Sequence, residues 1–521
     1  MKKIIIALML AAFAAAVSLS AFAEQKEFSK TRDYNNNFSD VKSTDWFGSN
    51  VADVYEYGLM DGVAADKFDT ESTLTVAQGI TVAARLHSLY NEKQIDETEN
   101  AQNWYDKYVL FALDNKIISE NEFSDYTAPL SSRSMVTLFA NALPEEYFPA
   151  INAVTEIPDV TEDLPYFKSV LMFYNAGILN GNDKTGIFYP ESSVTRKRAA
   201  AIIGRVVKPD SRVKFTLEKP KSEYTAKELL DIADAMTSAG TLDDFTMITV
   251  GGVDYSLAEY KYYYHTLSEN YKDEELKKQI ESVFKMSAAV FDTSNKKGIN
   301  LSYSDLRKFY SAYYTMRANY GQNYKLFLNI NGITDRALCR DQLFYALYGA
   351  ETVKLFGENA EYGYTQSDII NFANSENYIC AKHILVLSSD ENAKQTAEEL
   401  HKRAAAGEDF DKLIELYGKD PGMTVNKNGY YFTKGEMVEP FEKAAYELKP
   451  GEISGVVETN YGYHIIKRCE FNNSDFVSSS AYYDVINKYV SKRAGEFYDS
   501  VKNGLSVEYS PSYDEFLKII D

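Results

Sequence analysis

The chain has 521 residues, 45% of them hydrophobic, and a formal net charge of −21. That length accommodates roughly three or four domains with substantial cores. The acidity argues against nucleic acid and anionic membrane as partners, since both demand a basic footprint, and it fits a well-solvated surface.

The N-terminus opens with Lys2 and Lys3, an apolar run over 4–17 and the small-x-small sequence Ala21-Phe22-Ala23. That order predicts a secretory signal peptide, residues 1–23, cut after Ala23. The apolar run is too short to span a bilayer, no later stretch is longer, and no cysteine adjoins the cleavage point to carry a lipid. A secreted chain with no membrane span after signal cleavage is expected. The three cysteines, Cys339, Cys380 and Cys469, cannot all pair within one chain. Cys380 and Cys469 are left open as a pair or as two buried thiols.

Residues 38–207 contain a repeat. Its copies open FSDVKSTDWFGSNVADVYEYGLMDG, NWYDKYVLFALDNKIIS and IPDVTEDLPYFKSVLMFYNAGILNG. In each, an aromatic residue stands 11 positions before a turn: Phe47 before Gly58, Tyr105 before Lys116, Tyr166 before Gly177. Apolar residues at helical spacing lie between, and glycine at 58 and 177 suits a helix C-cap with positive φ. A hydroxyl residue after the loop caps a second helix, VAQGITVAARLH, RSMVTLFANAL or RKRAAAIIGRVV. The expected units span 38–90, 98–147 and 155–210. The polar stretch KPDSRVKFTLEKPKS predicts a linker over 211–222.

Residues 223–375 predict a mainly helical lobe, dense in tyrosine at 255, 260, 262–264, 271, 303, 310, 313, 314, 320 and 324. Those tyrosines are expected either to pack between helices or to offer unfolded chains a broad contact surface with polar tips. Residues 376–472 predict an α/β unit: the buried-type strand YICAKHILVL, three short helices, then the strand pair within SGVVETNYGYHIIKRCEF. Residues 473–521 predict a helical segment that folds back on the lobe.

Two resemblances follow. FSDV, GILNG and FYPESSVTRKRAA resemble the S-layer homology (SLH) family, three modules in tandem. That resemblance implies binding to a secondary cell-wall polysaccharide, with Arg133 and Arg196 clamping carboxylates and Trp46 and Trp104 packing on sugar. Val76 stands in the arginine's place in the first module. The motifs AKHILV, GEDFDKLIELYGKD, YFTKGEMVEPFEKAAYELKPGEIS and ETNYGYHIIKR resemble the parvulin (PpiC) family of peptidyl-prolyl isomerases in identity, order and spacing. The lobe's strand-turn-helix start resembles PrsA-like and SurA-like foldases.

The parvulin resemblance implies a site in which His383 and His464, two of five histidines in the chain, form a central pair. Thr459 and Tyr461 hydrogen-bond around them, Asp420 faces them, and Phe432, Met437 and Phe441 hold the proline ring. The family's GDLGYF is KNGYYF here, placing Gly429 at a leucine position, and Tyr461 replaces a commoner serine. No metal or cofactor is expected, because no bond is broken. The loop Leu387-Ser388-Ser389-Asp390-Glu391 has two acids and no base, so no preference for phosphorylated residues before proline is expected.

The expected fold is multidomain: all-α SLH repeats, a mainly helical foldase or chaperone lobe, and an α+β parvulin domain with a small, mostly antiparallel sheet. The expected function is a wall-held prolyl isomerase at the extracellular face of a bacterial envelope, acting on partly folded exported proteins with X-Pro bonds. The rival expectation is a holdase or an S-layer structural protein with an inactive parvulin unit.

Overall fold

The computed structural model describes residues 28–96, 101–237 and 242–520. The expected signal peptide lies outside them. The chain divides into two compact units: Met1–Phe284 with Asn300–Leu347 and Val507–Asp521, and Lys285–Ile299 with Tyr348–Ser506. The division cuts the region 223–375, which the sequence suggested as one lobe.

In the first unit, the repeats form the helix pairs α1 (Gly48–Glu56) and α2 (Val76–Asn91), α3 (Asp106–Asp114) and α4 (Ser132–Ala142), α5 (Phe167–Asn175) and α6 (Arg196–Val207). Phe47, Tyr105 and Tyr166 occupy the N-caps of α1, α3 and α5. The turn positions Gly58, Lys116 and Gly177 have φ of 68°, 57° and 71°. Thr75 and Gln78 form a reciprocal capping box at α2.

The three loops close on one another in a ring. Leu74 N–H donates to Val194 O (2.9 Å), Val194 N–H to Leu130 O (3.0 Å), and Leu130 N–H to Leu74 O (2.8 Å). All three side chains are buried. Around this centre α2 packs on α3, α4 on α5, and α6 on α1. The repeats therefore bury their apolar faces against each other, which no single pair could do alone. The segment expected as a linker is pinned to the third repeat: Val213 N–H donates to Gly177 O and Glu218 N–H to Lys184 O, both at 2.9 Å.

The lobe contributes β1 (Glu223–Tyr224), α7 (Ala226–Met236), β2 (Thr246–Val250), β3 (Val253–Ser256), α8 (Leu257–Ser268), α9 (Asp273–Lys297), β4 (Leu301–Ser302), α10 (Tyr303–Tyr320), α11 (Tyr324–Ile330) and α12 (Asp335–Phe356). The C-terminal strand Val507–Tyr509 adds antiparallel to β2. Tyr260, Tyr310, Tyr313 and Tyr314 are fully buried, so much of the tyrosine density is helix packing. Helix α10 lies against the third repeat: Arg307 Nη1 donates to Ile157 O (2.7 Å), and Ser311 and Thr315 donate to Asp163 (2.7 and 3.1 Å).

The second unit is built on α13 (Gln366–Ser375), β5 (Ile379–Leu387), α14 (Ala393–Ala405), α15 (Phe410–Tyr417), α16 (Gly422–Val425), β6 (Tyr430–Phe432), α17 (Glu439–Glu447), β7 (Ile453–Thr459), β8 (Gly462–Cys469), α18 (Asn473–Val477) and α19 (Ser480–Lys502). Its sheet has the order β6-β5-β8-β7, antiparallel throughout. One face packs on α14 and α15 through Ile384, Val386, Leu400 and Leu413. Ile379, Ala381 and Ile466 on the other pack with Phe441 and Ala445 of α17. Cys380 and Cys469 stand opposite one another in the β5–β8 register as free thiols.

Candidate active site

The β5–β8 register places His383 opposite Ile466 and His464 opposite Leu385. The histidines are thus diagonal neighbours on one face, within reach of each other. Both are buried, their rings are stacked at 5.1 Å with a 19° tilt, and their Nδ1 atoms are 2.9 Å apart.

Asp420 approaches from the turn after α15, which is tied to β5 by Lys419 N–H donating to Leu385 O (2.9 Å). Its Oδ2 lies 2.7 Å from His383 Nε2 and accepts from the Tyr430 hydroxyl at 2.8 Å. Its Oδ1 accepts the Gly422 N–H at 2.9 Å. On the far side His464 Nε2 lies 2.8 Å from Thr459 Oγ1, which accepts the Tyr461 N–H at 3.1 Å. Tyr461 therefore joins through its backbone. The residue is 62% exposed.

The hydrogen bond from His383 holds the Asp420 carboxyl down at about 2, with Tyr430 and Gly422 assisting against burial. Burial, then the neighbouring His383, push His464 down to about 4. At neutral pH Asp420 is an anion and His464 a neutral imidazole. These two states orient the Asp420 end of the chain. Asp420 can only accept, so His383 presents Nε2–H to it. His383 Nδ1 and His464 Nδ1 then share one hydrogen bond, and His464 Nε2 and Thr459 Oγ1 share the next.

Phe441 sets its edge against both histidines, at 5.2 Å from His383 and 5.4 Å from His464. Phe432 is 6.0 Å from Phe441, and Met437 packs on the same cluster. The three expected pocket residues are thus brought together beside the polar chain. Sequence reasoning missed Tyr430 and Met423, whose sulfur accepts the His383 N–H at 3.5 Å. The Tyr430 signal was legible: it stands at the second glycine of the GDLGYF motif.

The expected wall-binding residues fare differently. Trp46 and Trp104 are 64% and 59% exposed, just ahead of α1 and α3. Arg196 is buried over the Phe68 ring, donating from Nε to Phe68 O (2.7 Å) and from Nη2 to Asp61 O (2.5 Å). That corrects its expected role: it staples the third repeat to the first, and its guanidinium is not presented to solvent. Arg133 Nε donates to Glu191 (2.6 Å), which also pairs with Arg317 of α10 at 3.1 Å. Arg133, too, is committed within the protein.

The PPIC-type PPIASE domain family matches residues 383–470, and the S-layer homology domain family matches 37–78. Foldase protein PrsA of Geobacillus sp. (strain WCH70) is 47% identical over 97 residues, 18% of this chain and 33% of that protein. Foldase protein PrsA 2 of Bacillus anthracis is 35% identical over 153 residues, 29% of this chain and 48% of that protein. The chain thus spans a third to a half of the length of these curated relatives. Among solved structures, NmPin, the parvuline of Nitrosopumilus maritimus, is 42% identical, covering 18% of this chain and 97% of its own, with a TM-score of 0.16. PrsA from Bacillus subtilis is 23% identical, covering 50% and 93%, with a TM-score of 0.22. The domain at residues 383–470 belongs to the PPIC-type, or parvulin, family of peptidyl-prolyl isomerases, and an S-layer homology domain precedes it in the same chain.

Proposed function

We propose that the chain is a cell-surface foldase that isomerises X-Pro bonds of exported proteins and is held at the wall by three SLH modules, over 38–90, 98–147 and 155–210. The observation that carries this reading is the Asp420–His383–His464–Thr459 chain beside the Phe432, Met437 and Phe441 cluster. An amide resists rotation by about 18–20 kcal/mol because of its partial double bond. A site that grips the proline ring and favours the twisted amide lowers that barrier without breaking a bond. Phe441, Met437 and Phe432 supply the apolar grip. The Asp420 anion disfavours the charge-separated amide resonance form, whose carbonyl oxygen is negative, and so favours the twisted state. The histidines and Thr459 hold that anion and the pocket wall in register.

Leu326, Ile330 and Tyr345 leave apolar area exposed on the lobe, which supports contact with partly folded clients. Trp46 and Trp104 support contact with a wall polysaccharide. The test is an isomerisation assay of the full chain on an Ala-Pro peptide, alongside cosedimentation with cell-wall sacculi. A folded chain with no isomerase activity replaces this reading with a holdase. Failure to sediment removes the wall anchor.

A further inference from the structure

Asp420 lies at the rim of its site, its side chain 21% exposed, where an unrestrained carboxylate would turn toward water. Three donors hold it in place, and one of them is the half-buried Tyr430 hydroxyl. Burial and the adjacent Asp420 raise the Tyr430 phenol above its ordinary value, so it is a proton donor at neutral pH. The neighbouring turn is shaped for this contact. A Cβ on Gly422 would overlap the Tyr430 hydroxyl oxygen, so Gly422 and Tyr430 are a matched pair. The Tyr430 ring also sits 6.0 Å from the His383 ring, packed beside the group whose proton Asp420 fixes.

Resting on the isomerase reading above, we propose that Tyr430 is a positioning residue for the isomerisation: its hydroxyl holds the Asp420 carboxylate turned toward His383. The consequence reaches across the site. Two donors converge on Asp420 Oδ2 and the Gly422 N–H takes Oδ1, so the carboxylate plane is fixed. A fixed anion requires His383 to carry its proton on Nε2. The Nδ1 atoms of His383 and His464, 2.9 Å apart, pass that constraint on to His464 and Thr459. The titratable groups facing Tyr430 and Asp420 are those already named, His383 on β5 and His464 on β8.

The test uses the full chain with 15N-labelled histidine and 13C-labelled aspartate carboxyls. Tyr430→Phe keeps the ring and removes only the donor. It is expected to lower kcat about fivefold at neutral pH with KM unchanged, and to move the Asp420 carboxyl titration up by about one pH unit. The 15N signals of His383 should shift, because the acceptor at its Nε2 is no longer fixed. Gly422→Ala, which displaces the hydroxyl without removing it, should reproduce these shifts and add little to Tyr430→Phe. An unchanged Asp420 carboxyl titration and an unchanged His383 15N spectrum in both variants overturn the proposal. If the wild-type chain lacks isomerase activity, the isomerase reading falls separately, and the carboxyl titration and 15N spectra alone decide whether Tyr430 holds Asp420.

Discussion

The Nδ1 atoms of His383 and His464 are 2.9 Å apart although 81 residues separate them along the chain. One antiparallel register produces this contact, and a shift of a single residue would turn one histidine to the opposite face. The same register fixes which neighbour each outer nitrogen meets. His383 reaches Asp420 beyond α15, and His464 reaches Thr459 at the end of β7.

Because polar chain and apolar pocket are separate, they are expected to fail differently. Asp420→Asn keeps size and removes the charge, so kcat should fall roughly 10- to 100-fold with KM nearly constant. Phe441→Leu removes ring area and should raise KM several-fold with a smaller effect on kcat. Steady-state kinetics on Ala-Pro and Leu-Pro peptides separate the two. Equal losses in both parameters for both variants would dissolve the division of labour.

His464 makes the stability of β5 and β8 depend on pH. Its folded value of about 4 lies below the 6.5 of a free imidazole, mainly through burial. The unfolded chain therefore binds the extra proton first as pH falls. The stabilisation is complete above about pH 6.5 and is lost progressively toward pH 4, amounting to about 2–3 kcal/mol. Hydrogen exchange of β8 amides at pH 7, 5.5 and 4.5 should show protection falling over that window. His464→Asn should flatten the slope, and an equal slope in that variant would assign it elsewhere.

The turn at Lys116 carries avoidable strain. Gly58 and Gly177 occupy the corresponding turns at φ of 68° and 71°, whereas Lys116 adopts 57° with a Cβ. Lys116→Gly is expected to stabilise the protein by about 0.5–1 kcal/mol, since relief of the left-handed penalty exceeds the entropy glycine adds to the unfolded chain. Gly177→Ala should do the reverse, because its Cβ would lie 2.5 Å from Val213 O. Calorimetry on the two variants checks the signs. A lower Tm for Lys116→Gly would mean that its side chain contributes more than the strain costs.

Much of this was legible beforehand, and the gaps share a cause. The repeats, the three turn positions and the parvulin strands announce themselves through local spacing: caps, apolar periodicity and glycine at positive φ. The histidine pair came from motif resemblance, since nothing local in AKHILV says which residue 81 positions away it meets. Arg196 misled for the same reason. As a first-turn arginine it looks free, and only the closure of α6 on the first repeat shows its guanidinium covered by Phe68 and Asp61. Tyr430 was visible as a departure from the motif, but its role depends on the turn that brings Asp420 to it.

Phosphorylation before proline should hinder turnover. The turn after β5 carries Asp390 and Glu391 with no cation among residues 387–391, so a phosphate there meets like charge. The kcat/KM of a phospho-Ser-Pro peptide should fall below that of its Ser-Pro parent, and more so at low salt. Faster turnover of the phosphopeptide would require a cationic contact outside this turn.

Wall binding and repeat closure should separate by mutation. Trp46 and Trp104 are largely exposed, so Trp104→Ala should cost little stability while weakening cosedimentation with sacculi that carry their secondary polymer. Arg196→Ala should act in the opposite order. It strands Phe68 O and Asp61 O without their donor and loosens the contact between first and third repeats, at about 2–3 kcal/mol, before any effect on the polymer. The contact between the second and third repeats poses a separate question, because Arg317 of α10 shares Glu191 with Arg133 there. Burial would raise the Glu191 carboxyl, and the two arginines more than offset it. An acidic polymer that binds through Arg133 has to displace Glu191 from it. Glu191→Gln should therefore free Arg133 and strengthen sedimentation, provided circular dichroism shows the fold intact. Unchanged sedimentation in Trp104→Ala and Glu191→Gln alike, or equal binding of the wild type to stripped sacculi, would move wall contact away from these repeats.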